Sequence, residues 1–122
     1  MSAAQRPLKG LSILVIDDDR LAAFRLHHAL VASGARVASG DLETAEPYLG
    51  AAALALVIVG AGLNETDAKR LATLLAPCKA PWVAYGGDNA AALLPKPSAA
   101  VPAGRIDLLI AQAAALCAGA RH

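Results

Sequence analysis

Apolar and polar residues alternate along the chain in blocks that predict strands and helices in turn. Short runs rich in Leu, Val, Ile and Ala are typical of buried strands, and they lie at residues 11–16, 35–39, 54–59, 80–85 and 91–94. The segments between and after them have apolar residues at helical spacing, and we predict helices at residues 20–33, 42–49, 64–76 and 103–118. This order predicts an α/β fold: a doubly wound five-stranded parallel sheet with helices on both faces.

The first predicted helix has clear boundary signals and one apolar stripe. Asp19 is a suitable N-cap, and Gly34 follows the last apolar turn, where a left-handed C-cap favours glycine. The stripe, which we expect to pack on the sheet, consists of Leu21, Phe24, His28 and Val31.

Three adjacent carboxylates follow the first strand. Ligands and chemistry in open parallel sheets lie at the carboxyl ends of the strands. Asp17, Asp18 and Asp19 are at the end of the first strand. The ends of the third, fourth and fifth predicted strands carry Gly60, Gly86 and Lys96, so all of these residues are expected at one edge of the sheet.

Several of these segments together resemble the receiver domain of two-component response regulators. They are ILVIDDD, the helix that closes in SGARV, the strand LALVIVGAGL and the segment LLPKP. The resemblance covers residues 11–119, with residues 1–10 as an N-terminal lead-in, and it implies a flavodoxin-like topology. It also implies a phosphorylation switch, in which Asp17 and Asp18 hold Mg²⁺. An Asp ending strand three accepts the phosphoryl group, a Ser or Thr ending strand four binds it, and a Lys after strand five pairs with its charge. In this family the Lys-Pro bond is usually cis, which we expect for Lys96 and Pro97.

Two positions depart from this pattern and define a degenerate pseudo-receiver. Gly60 stands at the acceptor Asp, and Gly86 stands at the Ser or Thr, so neither a nucleophile nor a hydroxyl is available. With strand five at residues 91–94, only about five residues would separate strands four and five, too few for the usual helix. We therefore expect that helix to be shortened or missing.

The remaining acids have three possible roles. We favour an ion pair in which Lys96 lies between Asp17 and Asp18 and holds the pocket shut. A weak Mg²⁺ site on the two carboxylates is the second alternative, because Mg²⁺ prefers more oxygen ligands than these two provide. A catalytic role is the third. No resident cofactor is expected.

The favoured function is a regulatory protein-interaction module in bacterial two-component phosphorelay signalling that works without phosphorylation and is not an enzyme. Its partner would be a histidine kinase, a phosphotransfer protein or an output domain, and a homodimer stays open. One alternative is a sensor of nucleotides or cyclic dinucleotides, with an anion site formed by Lys79, Arg70 and Arg105 and stacking from Trp82 and Tyr85. Another is residual phosphoryl transfer through an unexpected acid.

Composition and charge reduce the classes of partner that the chain is expected to bind. A net charge of +1, no basic stripe and only 3% aromatic residues argue against nucleic-acid binding. The longest uncharged run is too short to cross a bilayer, so no membrane association is expected. Cys78 and Cys117 lack a metal-binding spacing and fit reduced thiols in a cytoplasmic protein.

Overall fold

The computed structural model describes residues 7–50, 53–60, 62–78, 80–86, 94, 97–102 and 104–118. They form a five-stranded, all-parallel sheet in the order β2-β1-β3-β4-β5. The strands are β1 (Ser12–Ile16), β2 (Arg36–Gly40), β3 (Leu54–Gly60), β4 (Trp82–Tyr85) and β5 (Ala99–Val101). The predicted α/β class and the doubly wound parallel topology are confirmed.

The described residues contain four α-helices, which cover the sheet with two on each face. They are α1 (Arg20–Ala32), α2 (Leu42–Ala45), α3 (Glu65–Leu75) and α4 (Ile106–Ala118). α2 is shorter than the helix predicted at residues 42–49, because a 3₁₀ turn with Pro47 in its first positions follows it and proline has no N–H to continue an α-helix.

Side chains alternate between two hydrophobic cores along each central strand. On one face, Ile13 and Val15 of β1 pack with Leu26 of α1 and Leu109 of α4. On the other face, Leu14 and Ile16 belong to the core that α2 and α3 complete. A strand buried on both faces needs apolar residues at every position, which explains the continuous apolar runs in the sequence.

The face of α1 that packs on the sheet is not the predicted one. Leu21, Phe24 and Val31 are 58%, 65% and 48% exposed, and His28 is exposed as well. The buried residues of α1 are Ala23, Leu26 and Leu30. The prediction was wrong because α1 carries apolar residues on two opposite faces, and spacing alone does not say which face is covered.

The fifth strand also lies elsewhere than predicted. β5 pairs Ala99–Val101 with β4, so it comes after the Lys-Pro pair rather than before it. The predicted strand at residues 91–94 lies outside the described residues except for Leu94, which is not in a strand. The gap between β4 and β5 is therefore longer than the five residues predicted, and the described residues within it contain no helix.

Part of the N-terminal lead-in belongs to the core. Leu8 is fully buried within the core that contains α1, and its backbone N–H donates to the Ser33 carbonyl at 3.0 Å. Among the described residues, no helix has both the length and the apolar character that crossing a membrane requires.

Candidate functional site

The carboxyl edge of the sheet brings the predicted site positions together. Asp17 follows β1 directly, Gly60 is the last residue of β3, and Gly86 follows β4. Gly86 has φ 95°, a left-handed conformation that glycine adopts without a Cβ penalty, and its N–H donates to the Val101 carbonyl. Gly86, the position that the resemblance aligns with the Ser or Thr of a receiver, is thus bound through its backbone to β5.

Asp17 fills the space that an acceptor side chain would need. A Cβ atom on Gly60 would lie 2.6 Å from Asp17 Cγ and closer still to Oδ2. A Cβ atom on Gly62 would overlap Oδ1 of the same carboxylate. The two glycines thus create the cavity that accommodates Asp17, which is only 4% exposed.

The local electrostatics of Asp17 follow from this burial. Desolvation raises the pKa of the Asp17 carboxyl, and the charges of Asp19 and Asp18 raise it further. Hydrogen bonds from the backbone N–H groups of Asp19 and Gly62 act in the opposite direction, since they stabilise the charged form. The bond from Asp19 N to Asp17 Oδ1 is 2.9 Å long. Backbone donors, rather than a cation, are therefore the described partners of this carboxylate.

Asp18 connects the end of β1 to the start of α3. Its Oδ2 accepts from the Asn64 backbone N–H at 3.1 Å and from Asn64 Nδ2 at 3.0 Å. Asn64 caps α3 by accepting from the Asp67 N–H at 2.8 Å. Partial burial raises the pKa of Asp18, against the effect of the Asn64 N–H. In a capping box the side chain of Asp67 would accept a hydrogen bond from the Asn64 backbone N–H. Here the Asp18 carboxylate accepts that bond instead.

Asp19 caps α1, as the sequence predicts. Its Oδ1 accepts from the N–H groups of Leu21 and Ala22 at 3.0 and 3.2 Å. The three adjacent acids consequently have three separate structural roles: the first fills a cavity, the second binds the cap of α3 and the third caps α1.

The described residues do not fit a magnesium ion of the kind that the resemblance implies. Mg²⁺ keeps several waters and needs open carboxylate oxygens. The Asp17 oxygens face the backbone at Gly60 and Gly62, and Asp18 Oδ2 is held by Asn64. Within the described ranges, no three His, Cys, Asp or Glu side chains are arranged to hold a metal.

Lys96 lies outside the described residues, and so do its predicted ion pair and its peptide bond to Pro97. The Lys-Pro pair precedes β5 in the chain, whereas the prediction placed it after the last strand. Ser98, the next described residue after Pro97, donates its N–H to the carbonyl of Trp82, the first residue of β4, at 2.9 Å. That contact is at the amino edge of the sheet, opposite Asp17. From Pro102 to the end of α4 the sequence contains no lysine.

The predicted anion site is not assembled from the residues described. Arg70 pairs with Glu46, and Arg105 pairs with Asp107 through Nε at 3.2 Å. Lys79 lies outside the described residues. Trp82 is buried, while the Tyr85 hydroxyl accepts from the Gly104 N–H at 3.0 Å. Two of the three proposed cations therefore already bind carboxylates.

A cleft beside α1 was not predicted from the sequence. It has a volume of about 480 Å³ and lies between the start of α1 and the end of β2. His27 Nδ1 and Ser39 Oγ are 2.8 Å apart in its wall, and the three carboxylates of Asp17, Asp18 and Asp41 line it with a single arginine. The sequence offers no signal for this pairing, because His27 of α1 and Ser39 of β2 are brought together only by the packing of α1 against β2.

Comparisons with known proteins identify the fold. No family model and no curated protein matches the chain. Among solved structures, the chain is similar to the signal receiver domain of an HD domain-containing protein from Pseudomonas fluorescens Pf-5, with 20% identity, TM-score 0.67 and 91% of each chain covered. A response regulator receiver modulated diguanylate cyclase from Pelobacter carbinolicus gives 15% identity, TM-score 0.67, and 89% and 93% coverage of this chain and that chain.

The anti-anti-sigma factor PhyR from Bartonella quintana matches over 98% of this chain and 51% of its own length, with 14% identity and TM-score 0.69. These identities are low, so the likeness concerns the backbone and not the residues of the site. The chain has the fold of response-regulator receiver domains.

Proposed function

We propose that this chain is a regulatory protein-interaction module with a receiver fold, and that it works in the cytoplasm without phosphorylation and without catalysis of its own. One observation carries the proposal. The side chain that would accept a phosphoryl group is absent at Gly60, and Asp17 occupies its space. Regulation in a receiver without an acceptor has to come from binding. A histidine kinase, a phosphotransfer protein or an output domain is the proposed class of partner.

A test is incubation with acetyl phosphate and Mg²⁺, followed by intact-mass measurement. We expect no phosphoryl group on the natural chain. Gly60→Asp supplies an acceptor carboxylate at the end of β3 and is the matched comparison. We expect it to stay unmodified unless Asp17 is also shortened, as in Asp17→Ala/Gly60→Asp. A phosphoryl group on the natural chain would contradict the proposal, and peptide mapping would then identify the acid responsible.

The alternative of a nucleotide sensor receives less support from the structure. The cleft beside α1 is large enough for a small molecule, but its three carboxylates repel phosphate groups. A thermal-shift screen with nucleotides and cyclic dinucleotides tests this alternative directly. A rise in melting temperature that disappears in Arg20→Ala would favour the sensor over the interaction module.

A further inference from the structure

A second cavity lies toward the amino edge of the sheet, at the other end of the strands from Gly60. It has a volume of about 330 Å³ and is called the amino-edge pocket below. This volume is at the small end of the range of about 300–1,000 Å³ that is typical of ligand sites. The lining residues that matter here are Ser12, Leu14, Arg36, Ala38, Tyr48 and Leu54.

The pocket is open because the segment that follows β2 is too short to cover the sheet. α2 has four residues and the 3₁₀ turn after it has three, so together they advance only about 12 Å. The seven residues of β3 span about 23 Å. The covering segment therefore ends at Tyr48, which is 49% exposed and forms one wall of the pocket. Beyond it, Ala38 and Leu54 on the same face of the sheet are only partly buried.

A cation and a hydroxyl group lie next to each other at this edge. Ser12 of β1 pairs in register with Arg36 of β2 and with Leu54 of β3, so the three residues are side by side. Leu14 and Ala38, two residues further along their strands, pack on the α2 face, which places Ser12 and Arg36 on that face as well. Within the described ranges, the Arg36 guanidinium and the Ser12 hydroxyl make no hydrogen bond or ion pair.

The lining of the pocket favours a ligand with one carboxylate and an apolar body. Arg36 is its single charged residue among those described. A guanidinium binds a carboxylate through two parallel hydrogen bonds, and the Ser12 hydroxyl can donate a third. Leu14, Ala38 and Leu54 offer only hydrocarbon to the rest of the ligand. The volume equals that of about eleven water molecules at ~30 Å³ each, which suits about ten non-hydrogen atoms.

We propose that the amino-edge pocket binds a small apolar monocarboxylate, such as an alkanoate of about ten non-hydrogen atoms. Arg36 and Ser12 bind the carboxylate, and the hydrocarbon chain lies on Leu14 and Ala38 beside Tyr48. The site goes beyond the proposed function, because it requires neither the acids at the carboxyl edge nor a protein partner.

The test is a titration of the full ¹⁵N-labelled chain with octanoate, followed by two-dimensional ¹H–¹⁵N NMR. We expect saturable shifts of the Leu14, Ala38 and Leu54 amide signals with a Kd below about 1 mM, while the Gly60 signal at the other end of β3 stays in place. Octylammonium has the same hydrocarbon chain and the opposite charge, and it should bind at least about ten-fold more weakly. Acetate, which lacks the chain, should also bind at least about ten-fold more weakly.

Variants then assign the binding to the pocket. Arg36→Met keeps an apolar stem at an exposed position and should weaken octanoate binding about ten-fold. Arg25→Met is the matched control, because Arg25 is an exposed arginine of α1, which covers the other face of the sheet. Ala38→Leu places a larger side chain in the pocket and should abolish the shifts. The dispersion of the NMR signals shows whether each variant is folded, and Arg36→Met remains decisive if Ala38→Leu is not.

Several results would overturn the proposal. These are a Kd for octanoate above about 1 mM, equal binding of octanoate and octylammonium, or equal losses in Arg36→Met and Arg25→Met. Shifts confined to α1, or shifts that persist in folded Ala38→Leu, would assign octanoate to another apolar surface. A dimer in sedimentation that Ala38→Leu abolishes would assign the pocket to a second copy of the chain. Phosphoryl uptake from acetyl phosphate would contradict the proposed function alone and would leave the octanoate results valid.

Discussion

Asp17, Asp18 and Asp19 are adjacent in sequence, yet their carboxylates make separate contacts. Asp17 accepts from the Asp19 N–H, Asp18 accepts from Asn64, and Asp19 accepts from the first turn of α1. Hydrogen bonds to a charged acceptor are stronger than neutral ones, so these bonds offset the mutual repulsion of the three acids. No lysine is required to explain why three acids are tolerated here.

Gly60→Ala should destabilise the protein by about 1–3 kcal/mol, because its Cβ would overlap the Asp17 carboxylate and force it to move. Urea denaturation measures the change in the free energy of unfolding. Gly50→Ala is the control, since a Cβ there meets no atom within 4 Å. Adding Asp17→Ala should recover most of the loss at Gly60. Simple additivity of the two changes would show that the glycine serves another purpose.

Asp17→Asn should stabilise the protein relative to the natural chain increasingly as pH rises. Burial raises the folded-state pKa of Asp17 above its ordinary value of 3.8, so the folded protein binds this proton more readily than the unfolded chain. The contribution of Asp17 to stability is therefore complete below the unfolded pKa and is lost as pH rises through the folded pKa. Asparagine does not titrate and avoids this loss.

The measurement is the difference in the free energy of unfolding between the Asp17→Asn variant and the natural chain at about pH 4 and about pH 7. Asp41→Asn serves as the comparison, because the Thr44 N–H lowers the pKa of Asp41 and the pH trend should have the opposite sign. A difference at Asp17→Asn that stays flat or shrinks with rising pH would argue against a destabilising buried charge.

At the scale of elements, the contact between Asp18 and Asn64 joins the end of β1 to the start of α3. Asn64→Ala removes the N-cap of an eleven-residue helix together with the side-chain bond to Asp18. We expect a loss of about 1–2 kcal/mol in the free energy of unfolding, measured in urea. Asp41→Ala, which removes one capping bond from the four-residue α2, should cost less. Equal losses would mean that Asp18 adds nothing to the cap.

The helix α1 shows why hydrophobic spacing does not identify a buried face. Leu26 and Leu30 face the sheet, and Phe24 and Val31 lie on the opposite side with the same kind of spacing. Small residues such as Ala23 let the buried side approach the sheet closely. The large apolar residues that were predicted to pack on the sheet are the exposed ones.

At the scale of the whole molecule, two cores enclose the sheet, and one of them extends into the N-terminal lead-in. Leu8 is fully buried among residues of α1 and α4. Leu8→Ala should therefore cost about 2–5 kcal/mol, the range for emptying a core site. Leu21→Ala, at a leucine that is 58% exposed, should change stability by less than about 0.5 kcal/mol. Similar losses at the two positions, measured by urea denaturation, would show that Leu8 does not anchor the lead-in.

The order of strands and helices, the continuous burial of the central strands, and the caps of α1 at Asp19 and Gly34 were predicted from the sequence. These features depend on local chemistry: apolar runs, side-chain oxygens beside free N–H groups, and a glycine with positive φ. The absence of a nucleophile at Gly60 is equally a property of the sequence, since glycine has no side chain.

Tertiary structure decided which segment forms the last strand, which face of α1 is buried and what fills the space at Gly60. Segment 99–101 is as short and apolar as segment 91–94 in the sequence, and its pairing with β4 makes it a strand of the sheet. Likewise, only the approach of β1 to β3 places the Asp17 carboxylate over Gly60. Residues far apart in the chain determine these outcomes, and local patterns carry no information about such neighbours.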